Sequence, residues 1–146
     1  MRNDIGVDFF ARGVEINRNQ KIILDFWIHN EDKKFKFLLN FQTMGAKGII
    51  LMYDITNEES LNKLSEWIPL IRDSPPILLV GNKLDLGSNR EVSKELVDIF
   101  KEKNNISDSM EISLQTGENV EKMFKKLTEM IEGEEIEESK FSLINL

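Results

Sequence analysis

Two short runs limit this chain more than anything else in it. Residues 48–55 read GIILMYDI and residues 77–80 read ILLV, with almost nothing polar in either. A strand with one wet face alternates apolar and polar residues. A run that is apolar at every position is covered on both sides, as in the interior of a parallel sheet flanked by helices. Parallel neighbours need a crossover, and residues 56–76 offer one. Thr56 and Glu59 read as a capping box, and Leu61, Leu64, Trp67, Ile68 and Ile71 share a helical face until Ser74-Pro75-Pro76 ends it. The pattern predicts an α/β fold with right-handed crossovers.

The rest of the chain extends this pattern. Residues 5–16 and 21–28 read as strands around the turn Asn17-Arg18-Asn19-Gln20, so an antiparallel hairpin opens the fold. Residues 29–44 suit a short irregular helix carrying Phe35, Phe37, Leu38, Leu39 and Phe41. A helix is predicted from Val92 to Lys103 with Leu96, Val97, Ile99 and Phe100 inward, then a strand at 110–113 and a last helix from about Glu118. Met52, Met110, Met123 and Met130 read as core filling. The acidic stretch 132–138 reads as a linker.

At 146 residues there is room for one domain with a real core. A net charge of −7, with no basic cluster, argues against a nucleic-acid or anionic-membrane surface. With no cysteine there are no disulfides, thiolate metal sites or lipidated cysteines, which fits a cytoplasmic setting. The start shows neither a signal peptide nor a myristoylation signal, and no run reaches membrane-span length, so no direct membrane anchor is expected.

The chemistry lies directly after the second apolar run, in Asn82-Lys83-Leu84-Asp85. Ligands of open α/β sheets sit beyond the carboxyl ends of the strands, which is where this tetrapeptide falls. A carboxylate at Asp85 can accept from both N1–H and the 2-amino group of guanine, a donor pair that adenine does not offer. The Lys83 stem can lie along base and sugar, while the Asn82 amide braces neighbouring loops.

With IGVDF at 5–9, GAKGIILMYDITNEES at 45–60, WIPLIRD at 67–73 and PILLVGNKLDL at 76–86, the chain from Asp4 to Glu132 resembles a Ras-superfamily small GTPase, closest to the Rab-like branch. The resemblance implies a three-layer, mostly parallel sheet opened by the hairpin. It places switch I and the hairpin at 4–28, switch II at about 28–44 and the guanine loop at 82–85, with Ser113-Leu114 as a weaker, partly kept base-backing loop. It also implies GTP chemistry done by positioning and charge stabilisation. Several parts of that machinery are missing from the pattern. The phosphate loop Gly-x-x-x-x-Gly-Lys-Ser/Thr would precede switch I, and no Gly-Lys dipeptide occurs anywhere. Losing even four charge-assisted bonds at roughly 1.5–3 kcal/mol each removes about 6 kcal/mol or more, some ten-thousandfold in affinity. The switch I threonine corresponds to Asp4, the magnesium-side aspartate to Ile28, the γ-phosphate glycine to Glu31 and the water-positioning glutamine to Asp32. No catalytic residue is therefore expected, and Asp4, His29 and Asp32 read as solvated rather than as a metal site. No cofactor is expected beyond GDP or GTP with Mg²⁺ at low affinity.

The predicted function is that of a pseudo-GTPase: an interaction module with at most weak guanine-nucleotide binding. The competing reading is a GTPase whose phosphate site another chain completes. A protein partner would meet the hairpin and residues 28–44, with Phe9, Trp27, Phe35 and Phe37 as the face, although core packing competes for Trp27. The expected organisation is a domain at 1–132, an acidic linker at 133–139 and a strand at 140–146, KFSLINL. In the family, the first strand lies between the hairpin and the GIILMYDI strand. Its loss would leave two strand edges with unpaired N–H and C=O groups. KFSLINL has the composition of that first strand and is predicted to fill its slot, within its own chain or in a second copy as a swapped dimer. A free tail, with the hairpin paired directly to 48–55, is the alternative.

Overall fold

A computed structural model describes residues 7–17, 20–29, 48–71, 74–130 and 138–145 of the chain. The elements run β1 (Val7–Asn17), β2 (Gln20–His29), β3 (Gly48–Asp54), α1 (Glu58–Leu64), β4 (Ile77–Asn82), α2 (Lys94–Lys103), β5 (Asp108–Glu111), α3 (Val120–Glu129) and β6 (Glu138–Asn145). Short 3₁₀ turns occupy Ile68–Leu70 and Leu84–Asn89. The strands form a single sheet in the order β1-β2-β6-β3-β4-β5. Only β1 is antiparallel, pairing with β2 from Val7↔His29 to Asn17↔Gln20 with a register shift between Glu15 and Asn17. The fold is α/β with a largely parallel sheet.

β3 explains why GIILMYD carries no polar alternation. Ile50 and Met52 pack on one face with Phe124 and Leu127 of α3, whereas Ile49, Leu51 and Tyr53 pack on the other with Leu61 and Phe100. Every one of these β3 residues is at most 1% exposed. Helices α1 and α2 therefore lie on one side of the sheet and α3 on the other. Residues two apart on the strand feed different layers from their neighbours, so both faces select apolar side chains.

β6 lies between β2 and β3 and runs parallel to both. It meets β2 from Ile23↔Glu138 to His29↔Ile144, and β3 from Gly48↔Phe141 to Met52↔Asn145. The strand begins at Glu138, two residues earlier than the expected 140, because β2 offers pairing partners as far back as Ile23.

Several local expectations are corrected. Asn57, not Thr56, caps α1: its side chain accepts from Glu59 N–H at 3.1 Å. Thr56 is taken by the Asp54 carboxylate, to which its N–H and hydroxyl donate at 2.8 and 2.6 Å. Charged acceptors win such competitions because their hydrogen bonds are the stronger ones. The expected helix through Ile71 stops at Leu64. Pro69 has no N–H with which to continue it, and Trp67 reaches the core from the turn that follows. The second helix starts at Lys94, where Ser93 accepts the Leu96 N–H at 3.2 Å. Ile99 is 52% exposed rather than inward, since at 3.6 residues per turn it stands on the far side from Val97. The fifth strand is Asp108–Glu111 rather than 110–113, yet Ile112 N–H still donates to Gly81 O at 2.7 Å. The last helix begins at Val120, two residues later than expected. The helix expected within 29–44, including Phe35 and Phe37, lies outside the described residues, as do Asp4, Glu31 and Asp32.

Candidate functional site

Three chain crossings meet at the carboxyl end of the sheet. Asn82 is the last residue of β4, and Asp54, the last of β3, is its register partner. Lys83 then turns the chain through a left-handed conformation, φ 71°, and Leu84 opens the 3₁₀ turn that presents Asp85. The Leu84 N–H donates to Ile112 O at 3.0 Å, tying this loop to the segment after β5.

That segment holds the loop's polar side chains in place. Ser113, fully buried, donates its hydroxyl to Asp85 Oδ1 at 2.7 Å while accepting the Thr116 N–H at 3.1 Å. The Leu114 N–H donates to Asn82 Oδ1 at 3.1 Å. Ser113 and Leu114 therefore act through the loop: one orients the Asp85 carboxylate and the other fixes the Asn82 amide. Leu114 itself points to solvent, 54% exposed. Asp85 is exposed and retains a second oxygen with no protein donor among the described residues, as a planar ligand offering two N–H groups requires.

Lys83 is anchored by a residue that the sequence reading did not single out. Its Nζ lies 2.7 Å from Asp54 Oδ2. Burial of Asp54 alone would raise its pKa, but the hydrogen bonds from Lys83 and from the Thr56 hydroxyl and N–H outweigh this and hold it below the ordinary carboxylate value. An aspartate closing an otherwise apolar strand marks the position, although nothing in the spacing names Lys83 as its partner. A second pair braces the loop's exit, where Arg90 donates to Glu111 through both terminal nitrogens at 2.7 Å and to Val92 O at 3.0 Å. Such a two-pronged contact fixes geometry as well as charge.

The remaining expected positions divide. Phe9 and Trp27 are register partners in the hairpin, and His29 ends β2 opposite Val7 and Ile144. Ile28 lies in β2 between Asp8 and Leu143, and an isoleucine side chain supplies no carboxylate oxygen for Mg²⁺. The residues present fit a guanine base, whereas this position does not fit the metal. Among the described residues no group of three or more histidine, cysteine or acidic side chains is placed to hold a metal ion. No helix among them is long and apolar enough to cross a membrane.

A sequence model of the Ras family matches residues 1–133. The chain belongs to the Ras family. Its similarity runs to Rab-named members: it is 38% identical over 127 residues to the human Ras-related protein Rab-30, covering 84% of this chain and 62% of that one. It is 34% identical over 134 residues to the mouse Ras-related protein Rab-12, covering 89% and 55%. The GTP-binding protein ypt4 of Schizosaccharomyces pombe is also 34% identical over 134 residues, covering 87% and 57%. This Ras-family chain thus spans little more than half the length of such relatives, and it stands in the Rab-like branch.

Proposed function

We propose that this Rab-like chain is a pseudo-GTPase: a protein-interaction module that keeps a guanine reader at Asn82, Lys83 and Asp85 and binds guanine nucleotides weakly, without hydrolysing them. The observation that carries this reading is the position of β6, between β2 and β3. The resemblance assigns that slot to the strand that runs into the phosphate loop, and here it holds residues 138–145, with no Gly-Lys pair anywhere in the chain. In this reading β6 takes the place of the strand that leads into a phosphate loop, and recognition falls to the base. A protein partner would meet the hairpin and residues 28–44, with Phe9, Trp27, Phe35 and Phe37 as its face, and the chain would act in the cytoplasm as a monomer or as a tail-swapped dimer.

Calorimetric titration with GDP and with guanosine, each with and without Mg²⁺, tests this. The two ligands should bind within about threefold of each other, a difference under 1 kcal/mol, with no dependence on the metal, and Asp85→Ala should abolish both. GDP binding far above guanosine and dependent on Mg²⁺ would falsify the reading.

A second reading rests on the intact bracing of the loop. Ser113 on Asp85 and Leu114 on Asn82 maintain a base site that a partner's phosphate loop could complete. Mg²⁺-dependent GDP binding that appears only on mixing with a second chain distinguishes it.

A further inference from the structure

A cavity of about 470 Å³ opens between α2 and the edge strand β5, on the sheet face opposite α3 and lined by none of the guanine-loop residues. Its size falls within the roughly 300–1,000 Å³ of small-molecule pockets. Tyr53 lies at its base for a reason visible in β4. The register partner of Tyr53 is Gly81, and a Cβ built there would stand 2.7 Å from Tyr53 Oη, so only glycine lets the ring lie across the strand toward Glu111 and Arg90. Tyr53 is 1% exposed, yet its hydroxyl has no hydrogen-bond partner among the described residues. Buried tyrosine hydroxyls nearly always find one, so this hydroxyl is open to a partner from outside the protein, a water or a ligand group.

The wall of the cavity supplies complementary groups. Lys94 and Lys101, seven residues apart and thus on one side of α2, both line it, and neither makes an ion pair among the described residues. Asp98 stands between them on the same wall, and Ser109 lines the β5 side. Glu111 is already engaged by Arg90. The cavity therefore offers two free ammonium groups for an anion, and a carboxylate, a serine and a buried phenol for hydroxyls.

The geometry points to a second binding site here, for a small phosphorylated polyol, with the phosphate taken by a lysine ammonium, Lys94 or Lys101, and hydroxyls on Asp98 and Tyr53 Oη. The ligand is a free metabolite rather than a membrane headgroup. A chain of net charge −7 is repelled by an anionic bilayer.

Heteronuclear NMR titration with glycerol 3-phosphate, alongside glycerol and inorganic phosphate, tests the site. Glycerol 3-phosphate should shift the amides of residues 94–101 and 108–111 with millimolar affinity, at least about tenfold tighter than either fragment. Lys94→Ala with Lys101→Ala should remove the response. Tyr53→Phe should weaken it roughly three- to tenfold, as for one hydrogen bond, while melting no lower than the parent. The site is overturned if the shifts fall elsewhere, persist in the double lysine variant, are matched by inorganic phosphate alone, or are displaced by guanosine. A melting temperature several degrees lower for Tyr53→Phe would also overturn it, since the hydroxyl would then have a structural partner.

Discussion

Gly81 shows how one missing atom can organise a region. A methyl group there would stand 2.7 Å from Tyr53 Oη and 2.8 Å from Ile55 Cγ2, both buried, so Gly81→Ala forces a repacking that typically costs about 1–3 kcal/mol. Urea denaturation should show this as a lower midpoint at an unchanged slope. Ser113→Ala removes the donor that orients Asp85 and the acceptor for Thr116 N–H, and leaves that N–H to be satisfied elsewhere. The expected loss is about 1–3 kcal/mol of stability, together with weaker guanosine binding by calorimetry. Asp54 provides a signature in pH. Its folded pKa is depressed, so its contribution is fully present above the unfolded value of about 3.9 and is lost as pH falls through the folded value. The stability gap between the parent and Asp54→Asn should therefore narrow steadily below about pH 4. A gap independent of pH over that range would assign the anchor of Lys83 to something other than charge. These roles were only partly legible. The place of Asn82, Lys83 and Asp85 at the carboxyl end of the sheet could be read because a short motif followed a buried strand. Asp54 and Arg90 could not, because each works through a partner far away in sequence, and spacing along the chain does not report such pairs.

At the level of elements, the apolar runs of β3 and β4 made the fold class legible, since burial on both faces leaves a compositional mark. The ends of elements were not legible in the same way. Whether Thr56 or Asn57 caps α1 depends on the Asp54 carboxylate taking the Thr56 hydroxyl, a local side-chain contact two residues back that propensity ignores. Helical periodicity continued past Leu64 in the sequence because Trp67, Ile68 and Ile71 remain apolar, although the backbone there has already left the helix. β6 is the element whose removal says most. Deleting residues 139–146 would expose the facing edges of β2 and β3, which now pair with it along most of their lengths. We expect thermal unfolding to lose its single cooperative transition or its midpoint to fall by about 10 °C or more, as for several kcal/mol in a domain of this size. An unchanged melting curve would mean that the sheet closes without β6.

Across the whole molecule, charge and sheet order set what the surface can do. With a net charge of −7, encounters with basic protein surfaces are favoured, and their rates should fall as salt rises. Because β6 pairs within its own chain, sedimentation velocity at micromolar concentration should give a single species near 17.0 kDa. A stable species of twice that mass would indicate that the strand is exchanged between copies. The arrangement of β6 also has a consequence in time. Ile23 and Glu138 are neighbours in the sheet but are made more than a hundred residues apart. Within this segment the hairpin and the β3–α3 unit are synthesised before β6, the strand that lies between them, so the centre of the sheet is the last part to be built. Local assembly can proceed on either side, but completion waits for a pairing of very long range, which is the slowest kind to form. Until then two strand edges stay open to any other chain that can pair with them. The step most exposed to error is thus the final one, and a chaperone that shields an open strand edge would matter more to this protein than to one whose central strand is made first.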